Sequence, residues 1–253
     1  MSIVAAGTGT VDELRQPVLD HLAERRQQGS FRVLDVGGRY NPWADAHTDA
    51  YVDLFPTEVT DKRIFVGNIC RPEVWEEIRD SGEPFDFSIC THVLEDIRDP
   101  FFVARQLASI SRAGYVSVPT KHSEMANVES RHYLGYCHHR WIYTVREVDG
   151  ERKMLALAKM PVLGYFNNRY RPILKLIHFF GRWTLMAKVE RRLGIFPGGG
   201  TIDWVDHRLV GHHTELGIWW EEQLPIEAIL DDYSGETCLE LADLYRHELR
   251  EGL

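Results

Sequence analysis

The chain has few cysteines, and their spacing gives no sign that they pair. Among its 253 residues there are 4, at Cys70, Cys90, Cys137 and Cys238, with no C-x-x-C pattern. Disulfide frameworks are typical of small secreted domains, whereas a chain of this length can bury a sizeable hydrophobic core. We therefore expect reduced thiols and a cytoplasmic location.

Long apolar runs are also absent. No uninterrupted run reaches the roughly 18 residues that a membrane-spanning helix needs, so stable membrane insertion is not expected. Residues 1–30 contain no apolar segment flanked by positive charge, so the sequence predicts no signal peptide.

Basic residues are outnumbered by acidic ones, 29 to 38, which gives a formal net charge of −9. Such a protein gains nothing from counterion release, so nucleic acid is not an expected partner. The charge is uneven, because residues 161–200 are rich in Arg and Lys and residues 201–253 are acidic. This asymmetry favours a homo-oligomer contact through the C-terminal region. Solvated helix faces, or attachment to an anionic membrane surface, explain the same pattern.

Short apolar runs alternate with helical patterns through the first two-thirds of the sequence. Strands are predicted at 32–36, 50–54, 63–66, 85–90 and 115–118. Helices are predicted at 11–28, at 72–78 and from residue 99 to a break at Gly114. The alternation predicts a doubly wound α/β fold, with a mostly parallel sheet and helices on both faces.

Two further strand-like runs, 141–147 and 152–158, are joined by an Asp-Gly turn that favours an antiparallel hairpin. The sequence beyond residue 160 has largely helical patterns on either side of a glycine loop at 198–200. We therefore predict an α/β domain over residues 1–160, whose sheet ends in this hairpin. Residues 161–253 are predicted to form a mainly helical lid or oligomerisation region.

A glycine turn and two carboxylates stand where an α/β sheet holds a nucleoside. Gly37 and Gly38 follow the first predicted strand, and such turns let backbone amides approach a ligand. Asp35 lies just before them. Asp53 ends the second strand, close to the spacing of about 20 residues expected for a carboxylate that accepts both ribose hydroxyls. The pattern predicts a nucleotide-type cofactor beyond these strands.

The segment F-D-F-S-I-C-T-H-V-L-E-D-I-R-D-P, from Phe85 to Pro100, and the following L-A-S-I-S-R-A-G-Y-V-S-V-P carry a family pattern. With the glycine turn, they resemble the class I methyltransferases that depend on S-adenosylmethionine (SAM). The resemblance covers about residues 10–160. It implies a Rossmann-like domain, SAM as the cofactor and S-adenosylhomocysteine (SAH) as the product.

The resemblance implies the cofactor-binding residues Asp35, Gly37, Gly38, Arg39, Asp53, Leu54, Asn68, Ile69, Thr91 and His92. The glycines would lie against the methionyl part of SAM, with Asp35 beneath them near its amino group. Asp53 would hold the ribose hydroxyls. Asn68 would accept a hydrogen bond from the adenine amine, with the next residue packed on the ring. Thr91 and His92 would border the sulfonium.

Two positions depart from the family pattern. Arg39 or Asn41 stands where the family usually has a further glycine, and Asp96 replaces a histidine of the fourth-strand motif. The altered turn leaves open a non-catalytic binding module, or a turn in which Arg39 meets the cofactor carboxylate. A nicotinamide-dependent oxidoreductase is a further alternative, because Asp53 also suits an NAD ribose. The G-x-G-x-x-G pattern of such enzymes is absent.

Methyl transfer is an in-line attack on the sulfonium carbon, so the enzyme supplies mainly proximity and orientation. An oxygen or nitrogen nucleophile is also helped by a general base. His122 follows the fifth strand, and His138 and His139 precede the hairpin, so each is a candidate base or substrate ligand. The alternative is an ordinary loop histidine. Because the large C-terminal region would shape the acceptor side, we expect a small-molecule or saccharide-type substrate.

Histidines and carboxylates also cluster towards the C-terminus: His207, His212, His213, Asp203, Asp206 and Glu215. Imidazole and carboxylate suit several divalent ions, but no tight spacing such as H-E-x-x-H is present. The sequence therefore predicts no metal site. The neighbouring Trp204, Trp219 and Trp220 are expected to pack in a core or a subunit contact.

Overall fold

A computed structural model describes residues 3–38, 42–56, 62–82, 84–124, 135–136, 138–159 and 214–228. Within these ranges the chain forms ten strands and four α-helices. No helix in this part of the chain is long and apolar enough to cross a membrane.

Strands and helices alternate through the first two-thirds of the chain. In order, the elements are β1 (Ile3–Gly9), α1 (Val11–Gln28), β2 (Val33–Val36), β3 (Ala50–Asp53), β4 (Arg63–Val66), α2 (Pro72–Asp80), β5 (Phe85–Thr91), α3 (Pro100–Ile110), β6 (Ser111–Pro119), α4 (Lys121–Glu124), β7 (Trp141–Val148), β8 (Glu151–Ala158), β9 (Glu215–Glu221) and β10 (Ile226–Ala228). Seven strands form the main sheet, in the order β1-β9-β6-β5-β2-β3-β4. The other three form a second sheet, in the order β10-β8-β7.

The main sheet is doubly wound. Strands β2 to β6 are parallel, whereas β9 runs antiparallel to both of its neighbours, β6 and β1. Helix α1 covers one face, and α2 and α3 cover the other. The predicted doubly wound, mostly parallel sheet is therefore confirmed. The arrangement fits the Rossmann-like methyltransferase fold that the resemblance implies.

Successive side chains of each inner strand pack into different cores. Val33 of β2 packs with Val18 and Leu22 of α1. Leu34, the next residue, packs on the opposite face in the core that contains Trp75 of α2. Because neighbouring residues on a strand point to opposite faces, a near-continuous apolar run is typical of a strand covered on both sides.

Capping residues set the start of the helices. Thr10 accepts a hydrogen bond from the backbone amide of Glu13 at 3.4 Å, and the Glu13 carboxylate accepts one from the Thr10 amide at 2.9 Å. Asp99 accepts from the Phe102 amide at 2.8 Å, and Pro100 occupies the first position of α3. Helix α3 therefore starts just beyond the carboxyl end of β5.

Strand β9 lies within the region predicted to be mainly helical, and it corrects that prediction for residues 215–221. It lies between β6 and β1, and its sequence E-L-G-I-W-W-E is buried on both faces, with Trp220 only 1% exposed. A short apolar run fits a helix and an inner strand equally well by periodicity, and this ambiguity explains the wrong prediction. The expected core packing of Trp220 is confirmed.

The predicted hairpin forms, but its predicted place at the end of the main sheet is wrong. Strands β7 and β8 pair around Asp149-Gly150 and belong to the second sheet with β10. Along β7, only Tyr143 is buried and the other residues are partly or fully exposed, which suits a sheet covered on one face. Strand β9 has apolar side chains for both faces, so it takes the inner position beside β6.

Most of the predicted C-terminal region, including its basic stretch, lies outside the described residues. The described part, residues 214–228, contributes β9 to the main sheet and β10 to the second. The division of the chain at residue 160 stays a prediction.

Gly114 on β6 allows the neighbouring strands to pack closely. A Cβ at this position would lie 2.6 Å from the Ser88 carbonyl oxygen and 2.6 Å from the Trp220 ring. We expect Gly114→Ala to lower the free energy of unfolding by about 1–3 kcal/mol in urea denaturation, because the site is overpacked. Gly7→Ala on β1 is the control, since a Cβ there meets nothing within 4 Å. Equal stability of the two variants would contradict this packing.

Candidate functional site

Polar residues gather along the edge of the main sheet where its parallel strands end. Strand β2 leads into Gly37, β3 ends at Asp53 and β5 ends at Thr91. The chain leaves β2 towards β3 and later enters β5 on the other side of β2, so the strand order reverses between β2 and β5. In open α/β sheets, ligands bind in the crevice at such a switch point.

The turn after β2 requires its two glycines. Gly37 has a φ of 80°, and a Cβ on it would overlap the side chain of Val93 from the loop after β5. A Cβ on Gly38 would overlap the carboxylate of Asp35. The Gly37 amide donates to the Val52 carbonyl oxygen at 2.9 Å, which fixes the turn against β3. The two glycines thus let β2, β3 and the loop after β5 approach one another.

Asp35 is fully buried beneath this turn. Burial raises the pKa of its carboxyl group to about 7, while Arg15 opposes the shift and Asp53 adds to it. The Gly38 amide slightly favours the ionised form, yet neither carboxylate oxygen makes a hydrogen bond of good geometry within the described residues. A buried carboxylate without a partner is destabilising, so the position suits a ligand group that is cationic or donates hydrogen bonds.

Asp53 lies at the end of β3 and is 8% exposed. Its Oδ1 accepts a hydrogen bond from the Phe55 amide at 3.2 Å, and its carbonyl oxygen accepts one from the Gly67 amide at 2.9 Å. The charge of Asp53 adds to the rise in the pKa of Asp35, and the Asp53 side chain is itself buried rather than out in solvent. Leu54 is 53% exposed and presents apolar surface beside it.

Asn68 and Ile69 follow β4. The side-chain oxygen of Asn68 accepts from the Cys70 amide at 2.9 Å, which closes an Asx turn and uses one of its acceptor positions. Ile69 belongs to the main core, and its carbonyl oxygen accepts from the Trp75 indole at 2.7 Å. Ile69 therefore offers little surface to an adenine ring. An open cavity of about 310 Å³ lies beside Asn68, lined by Val66, Gly67, Asn68, Arg71, Glu73, Val74 and Glu77.

His92, the residue after β5, is held between two buried carboxylates. Its Nδ1 lies 3.2 Å from Oε1 of Glu95, and its Nε2 lies 2.5 Å from Oε1 of Glu215. The second oxygen of each glutamate has no hydrogen-bond partner in the described part of the chain. The neighbouring Thr91 accepts a hydrogen bond from the Trp43 indole at 3.3 Å. The side chains beyond β5 are thus fixed by contacts to distant parts of the sequence.

These contacts determine the charge of His92. Burial favours the neutral ring, but hydrogen bonds and charges from Glu215 and Glu95 outweigh burial and raise the pKa of His92 to about 10. Burial also raises the pKa of Glu95. His92 is therefore an imidazolium at neutral pH and is unsuited to act as a general base.

The three histidines predicted as catalytic occupy two places. His122 is exposed on α4, whereas His138 and His139 stand together before β7 with ring centroids 4.5 Å apart. The structure brings Asp96 to this pair. Oδ1 of Asp96 lies 3.8 Å from Nε2 of His138 and 3.7 Å from Nε2 of His139.

A buried carboxylate orients His139. Nδ1 of His139 lies 2.5 Å from Oε1 of Glu124, and Oε2 of Glu124 accepts a hydrogen bond from the Lys159 ammonium at 2.6 Å. Lys159 also donates to the Tyr136 carbonyl oxygen at 2.6 Å, and the Tyr136 ring stacks on His139. Because Nδ1 of His139 is bound to Glu124, Nε2 is the ring nitrogen available to bind a ligand, and it lies on the side of Asp96.

Four of these buried or half-buried charged residues were not predicted to act here: Glu95, Glu124, Lys159 and Glu215. Glu95 stands inside the family-like motif, but the motif does not show its burial. Glu215 was grouped with a C-terminal histidine cluster, whereas the structure places it at the start of β9, bonded to His92. The two residues are 123 positions apart, so no local pattern could have paired them.

Several predicted site residues lie outside the described ranges. Arg39, a predicted cofactor ligand, is one of them. Most of the C-terminal cluster also lies outside these ranges, namely His207, His212, His213, Asp203 and Asp206, together with the neighbouring Trp204.

The chain matches no protein-family model and no curated protein. Solved structures similar to it include a putative sarcosine dimethylglycine methyltransferase from Galdieria sulphuraria, at 11% identity and a TM-score of 0.38, covering 86% of this chain and 89% of that one. Magnesium protoporphyrin IX methyltransferase (ChlM) from Synechocystis PCC 6803 with bound SAM is similar at 17% identity and a TM-score of 0.31, covering 46% and 67%.

The N-terminal domain of EvdMO1 with bound SAH is also similar, at 16% identity and a TM-score of 0.32, covering 55% of this chain. The match spans 62% of the length of that domain, which is less than two thirds. Similarity at this level does not assign an activity.

The buried carboxyl group of Asp35 makes stability depend on pH. Because its pKa is raised from 3.8 to about 7, the folded protein keeps a proton that the unfolded chain loses between these values. Stability should therefore fall as pH rises through this window, by up to about 1.4 kcal/mol per pH unit, and level off above it. Urea denaturation from pH 4 to 8 should show a steeper fall in the wild type than in Asp35→Asn, which keeps only the contributions of other groups such as His92 and Glu95. Parallel curves for the two proteins would contradict the burial of an unpartnered acid.

The two carboxylates around His92 should keep it protonated well above neutral pH. Nitrogen-15 NMR of the imidazole, assigned with a His92→Gln variant, should show titration near pH 10. In Glu215→Gln one charged acceptor is lost, and the titration should move to lower pH. A wild-type His92 that titrates near its ordinary value of 6.5 would refute the bridged arrangement.

Proposed function

We propose that this protein is a SAM-dependent methyltransferase. The observation that carries the proposal is the geometry at the switch point, where the buried carboxylates of Asp35 and Asp53 flank the Gly37-Gly38 turn. A nucleoside cofactor with a cationic amino-acid part fits this pair. Its sugar hydroxyls donate to one carboxylate and its ammonium group donates to the other.

The remaining cofactor contacts follow along the same sheet edge. In the proposed pose, Asp53 accepts from both ribose hydroxyls and the exposed side chain of Leu54 packs on the adenine. Asn68 meets the adenine edge beside the open cavity. Thr91 and His92 border the sulfonium, where the paired glutamates around His92 provide negative charge.

The proposed reaction transfers a methyl group to an oxygen or nitrogen. A lone pair of the acceptor attacks the methyl carbon, the carbon–sulfur bond breaks, and its electrons stay on sulfur, which leaves as the neutral thioether of SAH. The acceptor proton passes to a base or to water. His122 is exposed beyond β6 and keeps the predicted role of base. His92 is excluded from this role by its raised pKa.

We further propose a small-molecule or saccharide-type acceptor. The support is the polar cluster of Asp96, His138 and His139, which stands beyond β5 and suits an acceptor that carries hydroxyl or amine groups. The thiols of Cys70 and Cys90 are free, which fits a cytoplasmic location. Homo-oligomer formation through residues 161–253 stays part of this proposal.

A non-catalytic binding module remains the second candidate, because the turn carries Arg39 in place of a further family glycine. Calorimetry with SAM and SAH separates the two. Binding of SAM, followed by SAH formation from labelled SAM with a panel of hydroxylated and amino acceptors, supports the enzyme. Binding of neither ligand refutes the cofactor assignment. A change in nicotinamide absorbance with candidate substrates would instead support an oxidoreductase.

Asp53 gives the sharpest test of the cofactor pose. We expect Asp53→Ala to weaken SAM binding by about 1–3 kcal/mol, roughly 5- to 150-fold in Kd, because the ribose hydroxyls lose their acceptor. Isothermal titration calorimetry measures this change. Asp80→Ala is the matched control, since Asp80 is an exposed aspartate at the end of α2. Unchanged affinity in Asp53→Ala would remove the ribose assignment.

A further inference from the structure

We propose that Asp96, His138 and His139 bind one divalent transition-metal ion. The three side chains offer a carboxylate oxygen and two imidazole nitrogens, all within 4.8 Å of one another. Oδ1 of Asp96 is buried and makes no hydrogen bond within the described residues. Its separations of 3.7 and 3.8 Å from the two Nε2 atoms are too long for hydrogen bonds.

The spacing is close to what an ion requires. Metal–nitrogen distances of about 2.0–2.1 Å place neighbouring ligand atoms about 2.8–3.4 Å apart in octahedral or tetrahedral sites. The two separations from Asp96 exceed this range by less than about 1 Å, and all three ligand atoms lie within 4.8 Å of one another. The side chains of His138 and Asp96 are 54% and 39% exposed, so both have room to rotate towards an ion.

Glu124 supplies a second argument. A metal-bound histidine usually donates its other ring N–H to a carboxylate, which fixes the tautomer and the ring orientation. His139 has this arrangement, with Nδ1 at 2.5 Å from Glu124 and Glu124 held by Lys159. The lone pair of Nε2 is then directed at the position between His139 and Asp96.

The donor set indicates which ions fit. Two imidazoles with one carboxylate suit Zn²⁺, Mn²⁺, Fe²⁺ or Co²⁺, whereas Mg²⁺ and Ca²⁺ prefer oxygen ligands. Three protein ligands leave coordination positions open, as in catalytic rather than structural sites. In these positions the ion would bind a hydroxyl or amine group of the acceptor. This role rests on the proposed methyl transfer, whereas metal binding itself does not.

The test is metal binding by the chelator-treated full-length chain in the absence of SAM. We expect one Zn²⁺ per chain by calorimetry, and Co²⁺ should give d–d absorption bands that Zn²⁺ abolishes. Asp96→Asn and His138→Ala should each weaken Zn²⁺ binding at least tenfold. Glu124→Gln should weaken it about tenfold, because the orienting carboxylate is lost. His122→Ala removes an exposed histidine outside the cluster and should bind Zn²⁺ as the wild type does.

Asp96 and His138 carry the test because their side chains are partly exposed, whereas His139 is buried and its loss also affects folding. A melting temperature without metal within a few degrees of the wild type confirms that each variant is folded. The proposal is overturned if the wild type binds no Zn²⁺, or if Asp96→Asn and His138→Ala bind it as tightly as the wild type. Because SAM is absent, neither outcome depends on whether the cofactor assignment holds.

Discussion

The ion pair of His92 with Glu95 and Glu215 is the interaction on which the site depends. It joins the loop after β5 to the first residue of β9, across 123 positions of sequence. Burying two carboxylates without a cation between them would be strongly destabilising, so the strand, the loop and the charged ring have to assemble together. The site is therefore not a property of the N-terminal α/β segment alone. Strand β9, from the C-terminal region, contributes Glu215 to it.

Glu95 of this ion pair also contacts the chain segment that carries the two histidines before β7. The carbonyl oxygen of Glu95 accepts hydrogen bonds from the amides of Arg140 and Trp141, at 2.6 and 3.2 Å. The same residue thus anchors the start of β7 and helps to hold His92, so the histidine pair before β7 is fixed relative to the end of β5.

The parallel strands were predictable because each carries its own signal, such as the run V-L-D-V or the Asp99-Pro100 helix start. The places of Gly37, Asp53 and Thr91 were predictable for the same reason, since each follows from its position at a strand end. Strand β9 was not predictable, because a short apolar run has no distinctive period. Strand β1 was not predictable either, because its sequence I-V-A-A-G-T-G has weak strand propensity. The pairs Glu215–His92 and Glu124–His139 arise from tertiary packing, which local patterns do not encode.

The position of β9 has a consequence for how the protein is made. Strand β1 is synthesised well before β9, its hydrogen-bond partner in the main sheet. Strand β9 must also cover the edge of β6. Until then the nascent chain carries two strands without their neighbour, and such exposed edges are open to wrong pairings. Completion of this half of the sheet therefore waits for β9, and chaperones have most to protect in that interval.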